Sequence, residues 1–162
     1  MLSNGERRLF EFIERDQKKE FSELFRTGDS INKFAENNNG QGFLGFAIEK
    51  KAYGIVGFLV DIPELISHKD RNGRVPLMYV SRHFDHKMLT LLQMKKIDLN
   101  QELNLGRNLL HLAATKRDPC FFDMLVSMGV DRHKLCDRGE TPTDTAKRYR
   151  VDISDNTVNY KK

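Results

Sequence analysis

Apolar positions in this chain come in short clusters set apart by polar turns. Leu109, Leu110, Leu112, Ala113 and Ala114 form one cluster, and Phe121, Phe122, Met124, Leu125 and Val126 form the next. Spacings of three and four within each cluster predict a single apolar stripe on a helix. Arg117, Asp118 and Pro119 break the run between them, and Gly106 precedes the pair in a predicted turn. The arrangement returns at a fixed step. Turn glycines stand at Gly40, Gly73, Gly106 and Gly139, 33 residues apart. Apolar positions superpose at the same step: Leu44, Leu77 and Leu110, then Ala47, Val80 and Ala113. In the second helices Ile55, Met88 and Phe121 align, as do Phe58, Leu91 and Met124, and Leu59, Leu92 and Leu125. A helix pair this short cannot bury its apolar side alone, so the pattern predicts pairs that cover one another.

The ends depart from the pattern. Ser3-Asn4-Gly5-Glu6 reads as a capping box that starts a helix with Leu9, Phe10, Phe12 and Ile13 on one face. Asp16 is expected to cap a second helix carrying Phe21, Leu24 and Phe25, stopped by Gly28. This pair lacks the turn glycine, and residues 1–36 are expected to form a divergent N-terminal cap with its polar side to solvent. At the other end one helix, Pro142 to about Tyr149, closes the pattern. Residues 151–162, poor in apolar residues, are expected to fray as a flexible tail.

Gly139-Glu140-Thr141-Pro142, Leu110-His111-Leu112-Ala113-Ala114 and Ile97-Asp98-Leu99-Asn100 resemble the ankyrin repeat, a β-turn followed by two helices with a T-P-L-H-x-A signature. The resemblance spans roughly Asn37 to Arg148. It implies an all-α solenoid of antiparallel helix pairs with turn fingers, about four to five repeats counting the divergent caps: 37–69, 70–102, 103–135 and a partial 136–150. The signature's Thr-Pro is complete only at Thr141-Pro142, and its His only at His111. Gly42 and Gly45 replace its Thr and His in the first repeat and are expected to relax packing there.

Composition narrows the function classes. Of 162 residues 39% are hydrophobic, an ordinary globular balance, and no apolar run approaches a membrane span. Two cysteines, Cys120 and Cys136, read as reduced thiols of an intracellular protein, cytoplasmic or nuclear.

The resemblance implies that turn tips and first helices form a concave surface that binds other proteins. Nine basic residues lie there (Lys50, Lys69, Arg71, Arg74, Arg82, Arg107, Lys116, Arg138 and Arg148) against four acidic ones (Glu49, Glu102, Asp137 and Glu140). That excess of five exceeds the +4 of the whole chain, so the positive charge is expected on this face. The expected partner is a protein with an acidic surface. The arginines would supply forked contacts, and His83, Phe84, Leu105, Leu135 and Tyr149 would complete the contact set. Solvated turns are also basic in many proteins, and that plainer reading stands beside this one.

No catalytic constellation, cofactor motif or metal set emerges. His83 and His86 have no further ligand nearby, and the chain between them reads as an inter-helix turn. Cys120 at a helix start lacks a histidine–carboxylate partner set. Gly40-Gln41-Gly42 has no lysine of the phosphate-loop kind. His111 is expected, by the resemblance, to hydrogen-bond backbone near the turns. The leading expectation is a non-enzymatic adaptor, regulatory subunit or inhibitor, of a kinase or a transcription-factor complex for example. Nucleic-acid association through the basic face is the alternative, opposed by interleaved acids and few stacking aromatics at the tips. The chain is expected to be a monomer; an incompletely buried Phe10, Phe12, Phe21 and Phe25 would instead favour self-association.

Overall fold

A computed structural model describes residues 1–83, 85–116, 118–151 and 153. The chain is mostly helical, and among the described residues there is no strand beyond a single bridge between Glu36 and Gly42. It divides into two compact units, Met1–Asp98 and Leu99–Lys162.

In the first unit Ser3 caps α1 (Asn4–Glu14). Its hydroxyl accepts from the Glu6 N–H, and the Glu6 carboxylate accepts from the Ser3 N–H at 2.8 Å. Glu6 also accepts from the Asn32 N–H at 3.1 Å, which ties the following loop to the helix start. After α2 (Lys18–Thr27) come α3 (Phe43–Glu49), α4 (Tyr53–Leu59), a short α5 (Pro63–Ser67), a 3₁₀ helix (Pro76–Arg82) and α6 (His86–Met94). α1 packs on α3 and α2 on α4, while α3 packs on the 3₁₀ helix and α4 on α6. Neighbouring pairs thus cover each other's apolar sides. The second unit holds α7 (Leu109–Lys116), α8 (Pro119–Ser127) and α9 (Pro142–Arg148), with α8 and α9 both packed on α7.

The interval of 33 is a structural period. First helices begin at Phe43, Pro76, Leu109 and Pro142, and second helices at Tyr53, His86 and Pro119. Leu44, Leu77 and Leu110 are buried, as are Ala47, Val80, Ala113 and Ala146, and Leu59, Leu92 and Leu125. Phe58, Leu91 and Met124 are all half-buried.

The turn glycines share one conformation. Gly40, Gly73, Gly106 and Gly139 have φ of 71°, 68°, 66° and 69°, the left-handed region that favours glycine. Each closes a turn in which the N–H three residues before the glycine donates to the carbonyl just after it: Asn37 to Gln41, Asp70 to Arg74, Leu103 to Arg107 and Cys136 to Glu140, at 2.7–3.0 Å. In the first two turns a side chain reinforces the loop. Asn37 Oδ1 accepts from the N–H groups of Asn39 and Gln41, and Asp70 Oδ1 from those of Asn72 and Arg74.

Several expectations are corrected. Asp16 does not cap α2: it takes a left-handed φ of 47°, Gln17 precedes the helix, and neither side chain bonds its N–H groups. The first helix of the second repeat is 3₁₀ rather than α, and a short α5, for which the helix-pair pattern has no place, follows α4. Gly42 relaxes no packing, because nothing lies within 4 Å of where its Cβ would be. Gly45 does: a Cβ there would meet the Tyr79 ring at 2.7 Å. Of the four phenylalanines whose exposure would have favoured self-association, Phe10, Phe21 and Phe25 form an internal cluster, while Phe12 is half-buried beneath Arg8. Phe10 lies 4.5 Å from Phe43, and Phe21 and Phe25 meet Phe43 and Phe58 edge-on near 6 Å. Of the tail, only Val151 and Ile153 are described.

Candidate functional site

The basic residues expected to face a partner are in different states in the two units. In the first, most are already engaged. Arg71 is clamped to Glu36, its N–H donating at 2.6 Å and its guanidinium pairing at 3.2 Å. Arg82 pairs with Glu49 at 2.9 Å and lies over the Tyr79 ring, with Arg74 over the same ring. The Tyr79 hydroxyl donates to the buried Asp70, and burial followed by that bond pushes the phenol pKa up. Lys50 pairs more loosely with Glu14, at 3.7 Å, and covers Phe46. Lys69 and His83 are exposed, and Lys69 has no carboxylate partner among the described residues. Phe84 lies outside the described residues.

In the second unit Arg148 pairs with Glu140 at 3.1 Å and covers the Tyr149 ring. Arg107, Lys116 and Arg138 have no ion pair among the described residues. The period explains Arg107. Its counterparts, just after each turn glycine, are Gln41, Arg74 and Glu140. Gln41 donates to Glu49 and Glu140 pairs with Arg148 across the first helix. Arg74 and Arg82 share Tyr79. Across from Arg107 the matching position is Thr115, whose hydroxyl donates to the Leu112 carbonyl instead. The Arg107 charge therefore has no acidic partner among the described residues, and the residue is half-buried. Two large apolar side chains stand exposed on the turns of this unit, Leu105 at 56% and Leu135 at 58%. Leu105 also has a left-handed backbone, φ 64°. L-residues with bulky side chains avoid that region by roughly 1–2 kcal/mol.

His111 is buried beneath these turns. Its Nε2 donates to the Glu140 carbonyl at 3.0 Å, and its Nδ1 accepts from the Asn108 N–H at 3.2 Å. Asn108 in turn donates to the Asp131 carbonyl at 2.6 Å. The ring thus pins successive loops of the second unit together. Burial first, and then the Arg107 charge, hold its pKa below the ordinary value, despite the bond to Glu140.

Tyr53 and Asp85 went unremarked in the sequence. The Tyr53 hydroxyl donates to Asp85 at 2.7 Å, which with burial pushes the phenol up to about 12. Asp85 also caps α6 by accepting from the Met88 N–H. Burial alone would raise the Asp85 pKa, but Tyr53, the backbone N–H groups and Lys51 outweigh it, and the net direction is down. Such a pair separated by 32 residues leaves no local signal. Leu105 left none either, since Asn39 and Asn72 at the matching places do not share its left-handed backbone.

Among the described residues no three His, Cys, Asp or Glu side chains gather closely enough to hold a metal ion, and none of the helices is long and apolar enough to cross a membrane. No protein-family model matches the sequence, and no curated protein matches it.

Proposed function

We propose that the chain is an ankyrin-type repeat protein that acts by occupancy, binding another protein as an adaptor, regulatory subunit or inhibitor, for instance in a kinase or transcription-factor complex. The repeated turns, with their common glycine geometry and period, support the ankyrin reading. Two free cysteines support a reducing, intracellular setting.

One observation carries the binding reading. Leu105 is an exposed apolar side chain held on a left-handed backbone, which gains nothing from burial and costs strain. Strain of this kind is kept where it presents a side chain for use. Leu105 shares the turns of the second unit with Leu135 and with the unpaired Arg107 and Arg138, so apolar anchors and forked donors belong to one set of loops. The partner it suits has an acidic surface with apolar contacts at its centre.

Affinity purification from cells tests this. A stoichiometric partner retained by the native chain, and lost from L105S/R107E/R138E with an unchanged melting curve, is the expected result. Identical retention by the two would remove the reading.

A further inference from the structure

We propose that the contact joining the first two turns is a hydrolytic latch, opened in one direction only when Asn39 or Asn72 is deamidated through the nitrogen of the following glycine. An asparagine followed by glycine is prone to this reaction, because no Cβ on the next residue obstructs the approach to its nitrogen. The chain has three such pairs, Asn4-Gly5, Asn39-Gly40 and Asn72-Gly73. Two of them meet in one contact. Asn72 Nδ2 donates to the carbonyls of Asn39 and Gly40 at 2.8 and 3.2 Å, and beside it the Arg71 N–H donates to the Glu36 carboxylate at 2.6 Å. Both asparagines are exposed. The second unit has Leu105-Gly106 and Arg138-Gly139 at the matching places, so its turns cannot react in this way.

At Asn72 the Gly73 nitrogen attacks Cγ and gives its proton to solvent. Nδ2 takes up a proton and leaves as ammonia, and a cyclic imide remains. Water then adds its hydroxyl to one imide carbonyl and its proton to the nitrogen. Breaking the Cγ–N bond leaves aspartate in an unaltered chain. Breaking the backbone C–N bond leaves isoaspartate, in which the chain runs through Cβ and Cγ and is one methylene longer. The sum is asparagine plus water giving either acid plus ammonia, with no other reactant. Asn39 and Gly40 react in the same sense. In each turn the glycine N–H donates to the carbonyl three residues back, at 2.9 Å for Gly40 and 2.8 Å for Gly73, and this bond must open first. Asn4 is the first residue of α1, where helical backbone keeps its Cγ away from the Gly5 nitrogen.

Conversion at 72 opens the latch with either product. Neither acid has an N–H to offer the Asn39 and Gly40 carbonyls, and its charged oxygens are repelled by theirs. Isoaspartate at 39 detaches the Asn39 carbonyl from Gly40 and lengthens a turn with no spare room. A Cβ on Gly40 would already lie 3.0 Å from Arg71 Cβ and 3.1 Å from Asn72 Nδ2. Aspartate at 39 puts its charge in solvent and leaves the contact in place. Hydrolysis does not reverse in water, so opened molecules accumulate with age. None of this depends on Leu105 or Arg107.

The test ages the full chain in mildly alkaline buffer, folded and in urea. Each asparagine is then followed by peptide mass, with fragmentation that separates isoaspartate from aspartate. The folded chain is expected to convert at Asn39, Asn72 or both and not at Asn4, whereas urea exposes all three pairs. N72D mimics one product without ageing and should speed hydrogen exchange of the Arg71 amide by roughly tenfold, the scale of two neutral hydrogen bonds. N39D should leave that amide as it is. If the folded chain keeps Asn39 and Asn72 intact while urea converts them, or if Asn4 converts as fast as they do, the inference fails. An Arg71 amide indifferent to N72D would overturn it as well.

Discussion

Single residues at equivalent positions have different costs because their neighbours differ. Gly106 and Gly139 share a left-handed φ, but Asp137 crowds Gly106 and nothing lies within 4 Å of a Cβ at Gly139. G139A should therefore cost about 1 kcal/mol, the strain of an alanine in that conformation. G106A should cost clearly more, since the Asp137 contact must also give way. Urea midpoints compare the two, and equal losses would mean that Asp137 does not rest on Gly106. His111 gives a pH dependence of definite sign. Its folded pKa lies below its unfolded value, near 6.5, so the unfolded chain binds the proton more tightly. Its contribution is present above about pH 6.5 and is lost as pH falls. Unfolding midpoints measured between pH 7.5 and 5 should decline, and H111Q should flatten that slope. The sequence marked the turn glycines and His111 by their period. It did not mark the crowding at Gly106, which depends on a residue in the next turn.

Element boundaries follow from caps, and some caps have a second duty. Asp118 caps α8 by accepting from the Phe121 N–H at 3.0 Å, and Asp85 caps α6 in the same way. Asp85 also receives the Tyr53 hydroxyl from the preceding second helix. D118A should cost about 1 kcal/mol and D85A about 2, because the latter also strands a phenol. Absorbance titration adds an independent reading. The Tyr53 phenol is raised to about 12 from an unfolded value near 10, so its contribution is intact below pH 10 and fades from there to pH 12. D85N should bring one tyrosine midpoint down towards 10. Ser3 was legible as a cap because its partner Glu6 lies three residues on, within one helical turn. Asp16 was misread because its backbone turns left-handed, a choice made by the packing of α1 against α2 that no local pattern records.

At the scale of the whole molecule, the charge excess seen in the sequence was real but its availability was not. Ion pairs such as Arg71–Glu36 and Arg82–Glu49 join residues more than thirty positions apart, and only the fold shows which cations they leave open. The aromatic cluster of the first unit was legible as composition and became architecture once α1 and α2 packed on α3 and α4. F21A, at a fully buried position within it, should cost about 3–5 kcal/mol, read from the urea unfolding curve.

A protein assembled from near-copies of one motif must still tell its copies apart, and Gly45 with Tyr79 does so. The tyrosine ring fills the hollow left by an absent side chain, whereas the matching places in later repeats hold Met78, His111 and Asp144. The ring seats against the 43–49 helix because a Cβ at Gly45 would meet it at 2.7 Å. The pair would act as an address label: against any other first helix the same ring would meet a methionine, an imidazole or a carboxylate in place of the hollow.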